Sequence, residues 1–216
     1  MNRVLAAIVT ATIVMQVGCS AKYVKHAATS VTVQIRDADT GGELNDVLLV
    51  TVYKETPEFT RDDIAGPQHP QFETVSVDLV EVSSGVQLRQ KEVVRKETRT
   101  SGGVRTSYTR VDYHFVKAGY DVSTLTDDLV AGFAEMGNPA IIMLKKWQAE
   151  TSDVDAIVTA EHFHCRVLPF VKADGPLRQR LVDVLVAHLD LVDGSQTARE
   201  EAERLRGILH QDAVKP

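Results

Sequence analysis

Residues 31–54 read VTVQIRDADTGGELNDVLLVTVYK, and this stretch predicts how the rest of the chain is organised. Its first residues alternate between apolar and polar, which is the period of a strand with one buried and one solvated face. Turn-forming residues follow at 37–42, where Asp and Thr side chains can bond to nearby backbone and Gly accepts positive φ. A β-branched run at 47–53 completes a predicted pair of strands.

The same stretch resembles the opening of the carboxypeptidase regulatory-like domains, which are transthyretin-like β-sandwiches with Greek-key topology. The matching residues are Val33, Ile35, Asp37, Thr40, Gly41, Leu44, Val47, Val50 and Val52. Residues 115–120, FVKAGY, resemble the strand and Gly-Tyr turn found late in such domains, and the apolar run at 141–144 would be the closing strand. The resemblance implies a sandwich with an accessory or binding role and without catalytic residues of its own.

The β-rich part of the chain extends to residue 147. Residues 55–74 contain three prolines and several charges, and they predict a long loop. Alternation at 75–82 predicts another strand, and two longer arms flank a hairpin tip at 101–103. We expect residues 120–138 to form a loop with one helical turn.

The period changes from 2 to 3.6 after Trp147, so the predicted fold is α+β. An antiparallel β-sandwich at 31–147 would be followed by a helical segment at 148–216. We expect three helices within 152–211, the first ending before Pro169 and the last beginning with a capping box at Thr197. The charged residues at 199–206 are interpreted as a solvated face.

A basic hairpin is the most unusual feature of the β-rich part. Its two arms contain seven cations, which are Arg89, Lys91, Arg95, Lys96, Arg99, Arg105 and Arg110. The arms carry only two acidic residues, Glu92 and Glu97, before residue 112. Two interpretations stay open: a contact surface for lipid head groups, acidic glycans or an acidic protein, or charges that keep an edge strand from aggregating.

The first residues have the pattern of an export signal. Met1-Asn2-Arg3 is followed at 4–18 by an uncharged and mostly apolar stretch, which predicts a signal peptide at 1–18. Small residues before Cys19 resemble the bacterial lipobox, in which the cysteine is acylated. Residues 19–30 would then be a tether. Signal cleavage after Ala21 and an uncleaved N-terminal anchor are the alternatives.

Acylation would hold the protein on a membrane of the bacterial cell envelope, at the outer membrane or the cell surface, because each buried methylene adds about 0.8 kcal/mol. Cleavage after Ala21 would give a secreted protein instead. An acylated Cys19 would leave Cys165 alone, whereas a retained Cys19 could form a disulfide with it in an oxidising compartment.

Composition excludes several classes of protein. The chain has 216 residues, 44% hydrophobic and 25% charged, which are ordinary globular values. A net charge of -6 argues against a nucleic-acid partner. No apolar run reaches the roughly 18 to 20 residues that a membrane-spanning helix needs.

The sequence His162-Phe163-His164-Cys165 is the one cluster with metal-ligand residue types. On a helix, the two histidines would point about 200° apart, and a zinc site needs three or four convergent ligands. The loop at 37–42 has Gly41 where an EF-hand needs an oxygen ligand, so we interpret it as turn chemistry. The sequence therefore predicts neither a metal nor another cofactor.

Three functions remain open. The first is a non-enzymatic, membrane-anchored envelope lipoprotein that contacts an anionic partner through the basic hairpin. The second is an envelope enzyme or metal-binding protein that uses His162, His164 or Cys165. The third is a secreted carrier with a small-ligand pocket in its sandwich.

Overall fold

The structure is a computed structural model, and it describes residues 21–25, 30–56, 59–60, 72–89, 94–100, 103–107, 109–147, 153–171, 175–192 and 194–212. The chain divides into two compact units. The first comprises Met1–Ala27, Glu55–Glu73 and Glu92–Thr109, and the second comprises Ala28–Lys54, Thr74–Lys91 and Arg110–Pro216. The signal peptide expected at 1–18 and the acylation site expected at Cys19 lie outside the described residues.

The described strands, in chain order, are β1 (Ala21–Lys25), β2 (Ser30–Asp37), β3 (Val47–Glu55), β4 (Phe59–Thr60), β5 (Glu73–Val82), β6 (Val86–Arg89), β7 (Val94–Thr100), β8 (Gly103–Ser107), β9 (Thr109–Val116), β10 (Ser123–Thr126) and β11 (Ala140–Leu144). The α-helices are α1 (Asp127–Met136), α2 (Asp153–His162), α3 (Gly175–Asp190) and α4 (Gln196–Asp212). Helix α2 continues as a π-helical turn at Phe163–Val167 and a 3-10 turn at Leu168–Phe170.

The first unit contains one antiparallel sheet in the order β1-β7-β8-β4. Strands β7 and β8 form the predicted hairpin, with Thr100 opposite Gly103. Two expectations were wrong here. Strand β1 lies within the expected tether at 19–30, and strand β4 lies within the expected loop at 55–74. Both strands pair with the hairpin, and such distant partners leave no signal in a short local pattern.

The second unit contains two sheets, in the orders β10-β9-β3-β5 and β11-β2-β6. Strand β2 pairs in parallel with β11 and antiparallel with β6. The unit's seven strands and four α-helices confirm the predicted α+β class. The strand predicted at 141–144 is present as β11, but its parallel pairing with β2 corrects the expectation that the sheets are antiparallel throughout.

Strand β3 connects two hydrophobic clusters. Val47 and Leu49 belong to a cluster that also contains side chains of β2, β6, β9 and β11. Leu48, Val50 and Val52 belong to a second cluster, which includes side chains of β5 and of helices α2, α3 and α4. Because β3 is covered on both faces, its sequence is almost continuously apolar.

The three helices predicted within 152–211 are present, with local differences at their ends. The chain stays helical past Pro169 through the 3-10 turn, because proline is tolerated in a first turn, where its missing N–H needs no partner. Helix α4 is capped by Ser195 rather than Thr197, since the amide of Ala198 donates to Ser195 Oγ at 3.3 Å.

Helix α1 corrects the loop expected at 120–138, as does β10 before it. Asp127 and Asp128 begin the helix, where carboxylates interact favourably with its dipole. Gly137 ends it with a φ of 67°, and its amide donates to the Ala134 carbonyl. Val130 is fully buried and Phe133 packs against the same cluster, so the apolar spacing of a helix is present, but the helix is short and its Asp and Gly residues favoured a loop interpretation.

Candidate functional site

The turn after β2 is built around the Asp37 carboxylate. Its Oδ1 accepts hydrogen bonds from the amides of Asp39 and Thr40, both at 2.8 Å. Its Oδ2 accepts a hydrogen bond from the Tyr120 hydroxyl at 2.7 Å and lies 3.3 Å from Lys146 Nζ. These bonds, the one from Tyr120 foremost, hold the pKa of Asp37 well below its usual range. The same bond raises the pKa of Tyr120 to about 12.

This turn joins the three segments that carry the family resemblance. The amide of Ala38 donates to the Leu144 carbonyl of β11 at 2.8 Å, and the amide of Trp147 donates to the Gly119 carbonyl at 3.0 Å. Asp37 and Thr40 use their side-chain oxygens on their own turn, as the sequence predicted. The chemistry of this cluster is therefore that of a structural junction between β2, β11 and the turn before β10.

The seven cations of the predicted basic hairpin do not all lie on one sheet. Arg95, Lys96 and Arg99 lie on β7, and Arg105 lies on β8, so these four belong to the sheet of the first unit. Arg89 ends β6 in the second unit. The other two cations of the predicted set are Arg110 and Lys91.

Arg110 and Lys91 complete the predicted set. Arg110 lies on β9, where its Nε donates to Asp112 Oδ1 at 2.8 Å, so it serves an internal ion pair. Lys91 lies outside the described residues. The single hairpin expected at 86–116 is thus divided among strands of three sheets.

Two cations that sequence reasoning missed join the same sheet through β1. Lys22 stands opposite Glu97 of β7, and Lys25 stands opposite Val94. Both had been assigned to a tether. The sequence AKYVK carries only a weak strand signal in its central Tyr-Val pair, so its pairing with β7 could not be inferred from it.

A buried ion-pair cluster lies on the polar face of β9. Asp112 is 4% exposed, with Lys54 Nζ at 2.6 Å and Arg110 Nε at 2.8 Å from its carboxylate oxygens. Burial by itself would raise the pKa of Asp112, but the two cations outweigh it, and the pKa lies below its usual value. The carboxylate therefore stays ionised and neutralises Lys54, whose side chain is only 16% exposed.

His114 lies beside this cluster and contacts helix α2. Its ring is 5.7 Å from the His162 ring and 5.3 Å from the Phe163 ring, and its Nδ1 lies 2.8 Å from Thr124 Oγ1. Its buried Nε2 has no hydrogen-bond partner among the described residues. Burial, assisted by His162, lowers the pKa of His114 to about 4, and burial likewise lowers the pKa of His162.

The His164 side chain points away from that of His162, as expected for residues two positions apart on a helix. Its Nδ1 donates to Glu201 Oε1 at 2.6 Å, which connects the π-helical turn to α4. Glu201 also accepts a hydrogen bond from Arg204 Nη1 at 3.1 Å, and its side chain is only 2% exposed. This corrects the solvated face expected at 199–206, because a carboxylate is buried there by a partner 37 residues earlier in the chain. Cys165 is exposed, and its thiol is free.

Replacing Glu201 with Ala is expected to lower the free energy of unfolding by about 2 kcal/mol, because two hydrogen bonds to a buried carboxylate are lost. The matched control is Glu203→Ala in the same helix, where the side chain is exposed and the change should stay within about 0.5 kcal/mol. Urea unfolding of both variants checks this. Equal losses in the two variants would show that the Glu201–His164 contact adds nothing.

An open groove of about 400 Å³ lies between β2 and the residues that end α1. Ser30, Thr32, Gln34 and Asn138 give it hydrogen-bonding groups, and its lining contains no charged side chain. Ser30, Thr32 and Gln34 lie on the face of β2 opposite the hydrophobic cluster, so this groove is not the pocket within a sandwich that the carrier interpretation expects.

The described parts of the chain contain no cluster of three or more His, Cys, Asp or Glu side chains that could hold a metal ion. Among the helices described above, none is both long and apolar enough to cross a bilayer. Comparisons with models of known protein families, with curated proteins and with solved structures found no match for the chain.

Proposed function

We propose that the protein is an envelope lipoprotein, acylated at Cys19, whose folded part is a non-enzymatic binding module held at a membrane surface. The observation that carries the proposal is the sequence VGCS at 17–20, which follows an uncharged apolar stretch and directly precedes β1. A lipid anchor there would attach the folded protein itself to the bilayer, rather than attach it through a long linker. The membrane would be the outer membrane or the cell surface.

We also propose that the two sheets of the second unit form a transthyretin-like β-sandwich with Greek-key connections. Two observations support this. Side chains of both sheets share one hydrophobic cluster, and the segments that resemble the carboxypeptidase regulatory-like family meet at Asp37. A module of this kind would bind a partner rather than catalyse a reaction.

The internal charges fit a binding module. Asp37, Asp112 and Glu201 each accept hydrogen bonds from their own fold, and His162 and His164 contact different elements. These contacts connect strands and helices, which is the use expected of structural ion pairs. The partner would then be recognised elsewhere, and the sequences of the strands in the first unit, with six cations and one acidic residue, are the candidate for contact with an anionic partner.

The mass of the N-terminal peptide of the mature protein, purified from a bacterial host, tests the proposal. We expect wild type to yield a peptide that begins at Cys19 and carries acyl mass. The Cys19→Ala variant should retain residues 1–18 or be released from membranes without acyl groups. A wild-type peptide that starts at Lys22 would replace the lipoprotein with a secreted protein, and an intact Met1 would exclude export.

A further inference from the structure

The second unit has two separate hydrophobic cores. The cluster that contains side chains of β2, β6, β9 and β11 has all of its described members between residues 31 and 144, so it includes no side chain of α2, α3 or α4. The other cluster joins those three helices, which we call the helical layer, to one face of β3 and β5. Loss of the helical layer would therefore leave the strands with a core of their own.

A buried histidine of β9 lies against the helical layer. His114 is 6% exposed, and its ring is 5.7 Å from the ring of His162 on α2. The Nε2 atom of His114 is buried and has no hydrogen-bond partner among the described residues. The charged groups that act on the two imidazoles are Lys54, Asp112 and Arg166. A proton on either imidazole would add a positive charge close to the other histidine and to Lys54.

A second buried histidine connects α3 to the segment that follows β11. His188 is 7% exposed, and its ring stacks on the Trp147 indole at 4.5 Å, with 8° between the two planes. The Nε2 atom of His188 and the Nε1 atom of Trp147 are both buried, and neither has a hydrogen-bond partner in the described part of the chain. Asp121 Oδ1 lies 3.8 Å from His188 Nε2, which is too far for a hydrogen bond. Like His114, His188 thus buries a ring nitrogen that water would otherwise satisfy.

We propose that the helical layer separates from the sheet in mild acid, through protonation of His114, His162 and His188, while the core formed by the strands stays folded. Contact between the layers deprives each imidazole of water, whereas separation restores water and favours the protonated form. The Arg180–Glu81 ion pair also joins α3 to β5, but both side chains are more than a third exposed, so it opposes separation only weakly. Separation would expose the apolar face of β3.

The size of the effect follows from His114. Burial is the main reason that its pKa is about 4 in the folded protein, against an ordinary value of 6.5. A group with these two values favours the separated state about 20-fold more strongly at pH 5 than at pH 7. His162 and His188 act in the same direction, because burial lowers the pKa of each. Asp112 and Asp121 reduce these shifts without reversing them.

Hydrogen exchange of the full chain, measured by mass spectrometry at pH 7 and pH 5 and corrected for the intrinsic effect of pH on exchange, tests the proposal. We expect amides of α2 and α3 to lose protection about 20-fold or more at pH 5, whereas β2 and β11 keep theirs. The double variant His114→Gln/His188→Gln should respond far less to pH. The matched control is His164→Gln, which should keep the full response because His164 contacts Glu201 inside the helical layer.

The comparison of helices with strands in wild type does not depend on how well any variant folds. If the helices and the strands lose protection together at pH 5, the second unit is one cooperative unit and the proposal is overturned. Unchanged protection of the helices at pH 5, or an equal response in the double variant and in wild type, would overturn it as well. None of these outcomes depends on acylation at Cys19.

Discussion

Replacing Asp112 with Ala is expected to lower the free energy of unfolding by about 3 kcal/mol, which is one of the two largest effects on stability that we predict. Asp112 of β9 is the carboxylate that neutralises Lys54 of β3, and the two side chains are 6% and 16% exposed. Without it, the Lys54 ammonium stays in a poorly solvated position with no counter-ion. The Arg110 side chain is 40% exposed and can reach water, so Lys54 dominates the loss.

Two comparisons separate this explanation from a general loss of packing. Asp190→Ala breaks an exposed ion pair with Arg206 and should change stability by less than about 1 kcal/mol. The double variant Lys54→Met/Asp112→Leu should recover most of the stability, because it removes both buried charges together. Urea unfolding at neutral pH measures all three. A double variant as unstable as Asp112→Ala would contradict the buried-charge explanation.

The second large effect is a loss of stability in mild acid. In the folded protein the pKa of His114 is about 4, below its ordinary value of 6.5, and the pKa of His162 is also lowered. Between pH 4 and pH 6.5, His114 is protonated in the unfolded chain but not in the folded chain. The free energy of unfolding is therefore greatest above pH 6.5 and falls as the pH drops. The shift of His114 corresponds to a loss of about 3 kcal/mol by pH 4.

The groups around the His114 and His162 imidazoles determine the direction in which the two pKa values shift. Asp112 opposes the shift of both, but Lys54 and the burial of both rings act in the other direction. The lowered pKa values of Asp37 and Asp112 affect stability only below about pH 4, because their ordinary value is 3.8. Burial also lowers the pKa of His188, which adds to the loss of stability, and it raises the pKa of Asp127, which acts in the opposite direction above pH 3.8. The contribution of His114 is therefore isolated by comparison with a variant.

Unfolding in urea at several pH values checks this, with His114→Gln as the comparison. The variant cannot titrate at this position, so its stability should depend less steeply on pH than that of wild type, even where it is lower at pH 7. Parallel profiles for the two proteins would show that His114 is not the group that responds to acid.

Local patterns were sufficient for much of the fold. Alternation identified β2, and a β-branched apolar run identified β3. The Asp37 turn followed from the chemistry of Asp, Thr and Gly, and the change of period identified the three C-terminal helices. Each of these depends on residues within a few positions of one another. Val111, Tyr113 and Phe115 are buried, but so are Asp112 and His114 between them, which the sequence pattern of β9 does not reveal.

Contacts between distant segments account for several of the errors. Glu201 lies among charged residues and is buried only because His164 reaches it from another helix. Strand β1 exists through its pairing with β7, about seventy residues further along. Helix α1 was missed for a local reason, because its ten residues include two aspartates and a glycine that favour a loop interpretation. The candidate binding surface depended most on such pairing, since it determined that Lys22 belongs to the basic sheet and that Arg110 does not.

The position of β3 between two clusters has a consequence for folding during synthesis. Leu48, Val50 and Val52 are synthesised early, but their cover includes Leu181, Leu185 and Leu205, more than 120 residues further along. That face of β3 lacks this cover until α4 has been synthesised. We therefore expect the second unit to complete its folding late and to need protection from aggregation until α4 arrives.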